Sequence, residues 1–385
     1  MDDLGVYLHV PFCERICPYC DFAVVAVRSL GREAEERYVA ALLAELAARR
    51  GDFAGRTLAT VYLGGGTPSL LTPGSVRALL DAVRGAFPGE PAEVTLEINP
   101  STLERERLPA FRAAGVDRVS VGIQSFDDIA LRRLGRAHRA REGDQTLAAC
   151  RAAGFTRLSL DLIAAAPGQD LAAFDRELAA AIAAAPEHIS VYELTLEPGT
   201  PFARAAERGQ LATADEESAA RMLERAEERL LAAGFRRYEI SSYALPGGEA
   251  LHNQRYWQRR PVLGLGMGAV SSDPPSPGRP HGVRRTNPRT LDAYLAVAAG
   301  AQRAEVEALD PRAARGEAVF LALRTSAGLD AERFAAEFGA PPRAFFADAI
   351  GALRAQGLLE EGDTGRLRLT PRGRMLSDSV FAHFV

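Results

Sequence analysis

The run Gly5-Val6-Tyr7-Leu8-His9-Val10-Pro11-Phe12-Cys13-Glu14-Arg15-Ile16-Cys17-Pro18-Tyr19-Cys20 decides the fold, because an apolar strand pattern leads straight into three cysteines spaced Cys-x3-Cys-x2-Cys. Three thiols on one tight loop call for a metal. A four-iron, four-sulfur cluster ordinarily takes four thiolates, so three leave one iron open to a second molecule. The competing arrangement is zinc: His9 lies four residues before Cys13, and three thiolates with one imidazole close a tetrahedron. A structural zinc site is usually a small module folded around its ion, whereas these cysteines follow the first strand of a long α/β pattern.

From residue 5 to about 196, short β-branched runs alternate with longer alanine- and leucine-rich amphipathic stretches, the pattern of repeated βα units. Strands are expected at 5–12, 58–64, 93–99, 118–124, 157–163 and 188–195, with helices at 33–50, 74–87, 102–114, 142–153 and 171–184. Six units suit an α/β partial (βα)6 barrel. Such barrels gather their sites at the C-terminal ends of the strands. There the sequence places the cysteine loop, Gly64-Gly65-Gly66-Thr67-Pro68, Glu97 and Asn99, Gln124-Ser125, Asp161, and Glu193-Leu194-Thr195. Glycines without Cβ let a polar ligand approach the backbone, although a glycine run alone more often makes a turn.

Beyond the barrel, a helix is expected at 214–234, a strand over 235–243, and a long Pro-, Gly- and Arg-rich loop over 272–290. Helices at 310–325, 330–338 and 343–356, followed by a strand at 366–370, suggest a C-terminal helical, winged-helix-like domain. The expected division is 1–245 for the barrel, 246–300 for a connecting segment and 301–385 for the C-terminal domain.

Composition bounds the function. The 385-residue chain is 47% hydrophobic and 25% charged, ordinary for a globular protein with a sizeable core. Its 46 basic residues are all arginine, and a net charge of -4 gives no general affinity for nucleic acid or anionic lipid. Four cysteines are too few for a disulfide scaffold, no segment has 18 consecutive apolar residues, and the first residues lack a basic, signal-like region. Together these read as a cytoplasmic protein with no indicated membrane association. Cys150 sits in a helical pattern and reads as a small buried hydrophobe.

The motif Tyr7-x-His9-x-Pro11-Phe12-Cys13-x3-Cys17-Pro18-Tyr19-Cys20-Asp21-Phe22, followed by Gly64-Gly65-Gly66-Thr67-Pro68, resembles the radical SAM superfamily and, within it, the oxygen-independent coproporphyrinogen oxidase group. The resemblance covers nearly the whole chain. It implies a [4Fe-4S] cluster on Cys13, Cys17 and Cys20, with S-adenosylmethionine (SAM) on the open iron and an electron donor to reduce the cluster. It also implies a SAM region of Tyr7, Gly65, Gly66, Thr67, Glu97, Gln124, Arg136, Asp161 and Thr195, Arg136 being matched by its spacing from Gln124.

The group has two branches. The decarboxylating oxidase carries a further cysteine two residues after the third and a longer N-terminal extension, whereas here position 22 is Phe22 and twelve residues precede Cys13. The segments Cys17-Pro18-Tyr19-Cys20-Asp21-Phe22, His188 to Pro198 and His252-Asn253-x2-Tyr256-Trp257 resemble the heme-chaperone branch, the HemW proteins. That branch implies heme as ligand and a heme-acceptor protein as partner, without oxidase activity. His252 is the candidate heme contact, since imidazole is a common axial ligand and Tyr256 and Trp257 offer flat apolar surface; the alternative is a turn packed on the barrel. One departure stands out: after Asp161 the chain reads Leu162-Ile163-Ala164-Ala165-Ala166-Pro167, where the family commonly has Tyr-Gly-Leu before the proline.

Overall fold

The computed structural model describes residues 3–362 and 365–385. Six strands, β1 (Asp3–Val10), β2 (Thr57–Gly65), β3 (Glu93–Ile98), β4 (Arg118–Gln124), β5 (Arg157–Ala164) and β6 (His188–Glu193), pair side by side in chain order, every pair parallel. Parallel neighbours require crossovers. These are supplied by α1 (Arg32–Arg49), α2 (Pro73–Ala86), α3 (Thr102–Ala113), α4 (Asp128–Arg133), α5 (Ala140–Ala152) and α6 (Leu171–Ala183). Side chains of Thr72, Ser101, Asp127 and Asp170 accept from the first-turn amides of α2, α3, α4 and α6 and fix where each helix starts. Covered by helices, the strands run almost continuously buried, and Leu42, Leu79, Phe111, Leu147, Cys150 and Phe174 join them in one core.

The sheet extends past the six expected strands at both edges. The stretch expected as one strand over 235–243 is two short ones, β7 (Arg236–Arg237) and β8 (Ser242–Ala244), with β8 antiparallel to β6. At the other edge β9 (Val262–Leu265) runs parallel to β1, followed by antiparallel β10 (Val270–Asp273), β11 (Val283–Thr286) and β12 (Glu305–Ala308). Most of the stretch expected as loop at 272–290 thus belongs to a β10–β11 hairpin, its strand ends together with their turn. The glycines before it mask the strand signal for a packing reason: a Cβ on Gly264 would meet the Val270 carbonyl oxygen at 2.3 Å.

Downstream of α7 (Glu216–Ala232) and α8 (Leu251–Trp257), three helices, α9 (Pro311–Leu323), α10 (Ala331–Phe338) and α11 (Arg343–Ala355), precede an antiparallel hairpin of β13 (Leu359–Glu361) and β14 (Leu367–Leu369). Val319, Leu323, Phe334, Ile350, Leu353 and Leu367 give them a core separate from that of the barrel. Three helices and a two-stranded wing match the winged-helix-like expectation. Among the described residues no helix is long and apolar enough to cross a membrane.

Candidate functional site

The cysteine loop is closed by a clasp. Phe12 and Cys13 pair in parallel with Val25 and Ala26, the Val25 amide donating to the Pro11 carbonyl and the Val27 amide to the Cys13 carbonyl, each at 2.8 Å. Inside it, the Cys20 amide donates to the Cys17 carbonyl at 3.1 Å. The three thiols are free, partly exposed, and face a cavity of about 460 Å³ at the C-terminal end of the barrel. Burial raises the Cys13 thiol to about 11 and also raises that of Cys20.

A hydrogen-bond circuit joins two thiols through the ends of the strands. Thr67 Oγ1 donates to Cys13 Sγ at 3.7 Å and accepts from Asn99 Nδ2 at 2.8 Å. Asn99 Oδ1 in turn accepts from Arg136, whose guanidinium also reaches the Gly122 carbonyl at 2.8 Å and Cys17 Sγ at 3.4 Å. Arg136 Nε is buried without a partner, so this cation is held beside sulfur rather than consumed by a carboxylate. Asn99, expected at this strand end from the sequence but given no role there, is the link between the two halves of the circuit. Its signal was the period of the strand, which puts it on the same face as Glu97.

Two carboxylates line the same cavity. Glu97 is pushed up to about 7, chiefly by burial and further by Asp161, against hydrogen bonds from Tyr62 (2.7 Å) and the Gly65 amide (3.0 Å). Asp161 is raised to about 6 by burial, against a hydrogen bond from Ser190. Among the described residues neither forms an ion pair, although the charge of Arg118 lowers both and that of Arg136 lowers Asp161, which leaves net room for a positively charged ligand.

The glycine run acts differently from the expectation of free backbone donors. The Gly65, Gly66 and Thr67 amides are already engaged by Glu97, the Val10 carbonyl and the Phe12 carbonyl. What glycine supplies is proximity: a Cβ would strike the His9 ring at 2.5 Å from Gly65 and the Phe12 carbonyl oxygen at 2.8 Å from Gly66, forcing the cysteine loop away.

Of the residues singled out in the sequence, Cys13, Cys17, Cys20, Gly65, Gly66, Thr67, Glu97, Gln124, Arg136, Asp161 and Thr195 line this one cavity. Gln124 ends β4 at a left-handed φ of 67°. Two residues lie elsewhere. Tyr7 stacks inside the barrel against Tyr62, its hydroxyl donating to His9 Nδ1 at 3.0 Å. His252 is 1% exposed, with Nδ1 bonded to Thr60 Oγ1 at 2.8 Å and Nε2 at 3.4 Å from the Tyr256 hydroxyl; burial pushes its pKa down to about 3. Neither imidazole nitrogen is left for a heme iron, so the structure corrects that assignment in favour of the packed alternative.

The same accounting bears on zinc. His9 Nε2 donates to the Ala23 carbonyl at 2.8 Å and Nδ1 accepts from Tyr7, so both nitrogens are occupied within the protein. Among the described residues, no three His, Cys, Asp or Glu side chains converge closely enough to hold a single ion. Three thiols spread around a cavity beside an arginine fit a polynuclear cluster, whose iron atoms each take their own thiolate.

An α/β barrel whose first strand delivers three free thiols to such a cavity defines the radical SAM class, and residues 7–181 match the model of the Radical SAM superfamily. Residues 309–376 match that of the HemN C-terminal domain. Within the class, the chain belongs to the HemW family. It is 40% identical to the heme chaperone HemW of Mycobacterium tuberculosis over 98% of this chain and 93% of that one, and 32% identical to that of Bacillus subtilis over 99% of both. A solved structure of the coproporphyrinogen III oxidase HemN of Escherichia coli shares the fold at a TM-score of 0.83 and 24% identity, covering 100% of this chain and 90% of that one.

The family comparison exposes one strained residue. Ala165 stands where the family pattern has the glycine of Tyr-Gly-Leu, and it keeps a left-handed φ of 60°. A non-glycine residue there costs about 1–2 kcal/mol.

Proposed function

We propose that this protein is a heme chaperone that binds heme and passes it to acceptor proteins, carrying a SAM-coordinated [4Fe-4S] cluster on Cys13, Cys17 and Cys20. The observation that carries the cluster assignment is the Cys13–Thr67–Asn99–Arg136–Cys17 circuit, which ties two thiols to the ends of β2 and β3 and to one buried guanidinium. Membership of the HemW family supports the chaperone role, as does Phe22, 68% exposed at the cavity mouth where the oxidase branch has a cysteine.

When bound, the cluster supplies an iron with an open coordination position and one-electron chemistry. The chain's own residues set its surroundings. Arg136 offsets thiolate charge, and Thr67 donates to a sulfur, both favouring the deprotonated ligands. Glu97 and Asp161 present negative charge to the amino and sulfonium groups of SAM, while Gln124 and Thr195 offer neutral polar contacts at the cavity wall. Enclosure in the cavity strengthens each of these interactions relative to water.

The test is anaerobic reconstitution with iron and sulfide, hemin titration, and transfer to an apo-acceptor followed by its absorbance. Retention of hemin and its handover to the acceptor are expected. Failure to retain hemin in both cluster-loaded and cluster-free protein, or multiple turnovers of coproporphyrinogen III to protoporphyrinogen IX, would overturn the reading.

A further inference from the structure

A second cavity is remote from the cysteines. It measures about 850 Å³, against about 460 Å³ for the thiol cavity, and lies between the barrel floor and the C-terminal helices. Small-molecule and cofactor sites run to roughly 300–1,000 Å³. Gln258 to Arg260, on its wall, precede β9 at the end of the sheet where β1 begins, whereas Cys13 follows the end of β1. The eight residues of β1 separate the two by roughly 26 Å at about 3.3 Å per residue.

The lining is cationic. Arg236, Arg237, Arg259, Arg260, Arg333 and Arg366 face three carboxylates, Glu249, Asp330 and Glu337, an excess of three positive charges. Four of the six arginines are matched to carboxylates: Arg237 to Glu227, Arg259 to Glu317 and Glu337, Arg260 to Asp3, and Arg366 to Asp330. Among the described residues Arg236 and Arg333 form no ion pair; the Arg333 guanidinium donates to the Gln258 carbonyl at 3.0 Å and acts on Asp330 only through its field. They belong to different walls, Arg236 on β7 of the barrel sheet and Arg333 on α10. Trp257 adds a flat surface, with the Arg324 guanidinium 4.5 Å from its ring centre and its Nε1 buried without a hydrogen-bond partner. On α8, Gln254 and Trp257 face this cavity, while the His252 imidazole is bonded into the barrel.

We infer that this cavity is where the heme is carried, its two carboxylates taken by Arg236 and Arg333 and its ring face laid against Trp257. The inference rests on the heme-chaperone reading above. It gives the cargo a place distinct from the thiol cavity, whose smaller volume is shared by the cluster and SAM. A guanidinium suits the role because its planar fork binds a carboxylate through two parallel hydrogen bonds.

The test titrates hemin and hemin dimethyl ester into the full-length protein, wild type and the Arg236→Ala/Arg333→Ala double variant. Both arginines are exposed, so the fold and the iron content of the reconstituted protein should be unchanged. Each lost arginine should weaken hemin binding about tenfold, equivalent to about 1.4 kcal/mol. The ester should bind wild type as weakly as hemin binds the double variant. If wild type binds hemin and the double variant binds it equally well, this placement is wrong while the chaperone reading stands. If wild type binds no hemin, both fall.

Discussion

The two ends of the barrel handle buried polar groups in opposite ways. At the floor, Glu93 is 0% exposed and fully used: it accepts from Arg157 at 2.7 Å and from the Leu251 and His252 amides at 2.9 and 3.0 Å. Arg255 beside it pairs with Asp3, and His252 is spent on Thr60. At the top, three thiols are free and two carboxylates have no ion-pair partner among the described residues, whereas an unpartnered guanidinium Nε occurs at both ends, in Arg136 above and in Arg255 and Arg260 below. Burying unpaired groups is costly, so an end left incomplete is one completed by a ligand. Residues of the same types are structural below and available above, and only the pairing tells them apart.

The sharpest way to break the contrast is at the top. Replacing Cys13, Cys17 and Cys20 together by alanine should abolish the broad visible absorbance and the bound iron after reconstitution, yet leave the far-ultraviolet circular dichroism unchanged. If iron and absorbance survive, the cluster assignment fails. At the floor the effect should fall on folding instead. Glu93→Ala leaves the Leu251 and His252 amides unpaired and Arg157 with the Ala92 carbonyl and a longer approach to Asp117, and should cost about 2–4 kcal/mol in urea unfolding. A loss below 1 kcal/mol would show that the floor is not held this way.

Proton linkage separates the ends further. Burial holds Glu97 at about 7 in the fold, above its ordinary value of 4.5, so the native protein binds the extra proton between those values. Stability of the ligand-free protein should therefore fall as pH rises through that window, by at most about 3.4 kcal/mol at 1.36 kcal/mol per pH unit, and Glu97→Gln should flatten the slope. SAM affinity should move the opposite way, rising between pH 6 and 8 as Glu97 and Asp161 become anionic. A pH-independent affinity would remove these carboxylates from the binding of the cation.

Relief of strain gives a smaller effect. Ala165→Gly lets the left-handed turn after β5 form without a Cβ and should stabilise the protein by about 0.5–1 kcal/mol, read as a higher urea midpoint. The smallest change is expected at Phe22, whose side chain is mostly in solvent. Phe22→Ser should shift stability by less than about 0.5 kcal/mol and leave the iron content unchanged.

Much of this was legible in the sequence where one physical signal dominated. The run 118–124 reads as a strand and is one, and the six parallel strands emerge because buried β-branched runs alternate with capped amphipathic helices. Legibility failed where two signals competed. Val262–Leu265 and Val283–Thr286 are strands hidden by glycine, proline and arginine, residues that read as loop until the close approach of Gly264 to Val270 is seen. At the site, position along a strand identified Glu97 and Asp161 but not their use. The partner that separates His252 from them, Thr60 on one side against open cavity on the other, is tertiary.

The clasp between Phe12–Cys13 and Val25–Ala26 has a kinetic consequence. By tying both ends of the ligand loop with peptide hydrogen bonds, it removes most of the chain-closure entropy before any iron arrives, so the thiols search a small volume rather than that of a free twelve-residue tether. Cluster assembly on such a loop becomes an encounter with a waiting receptor, and its rate should follow the supply of iron and sulfide rather than the wandering of the polypeptide.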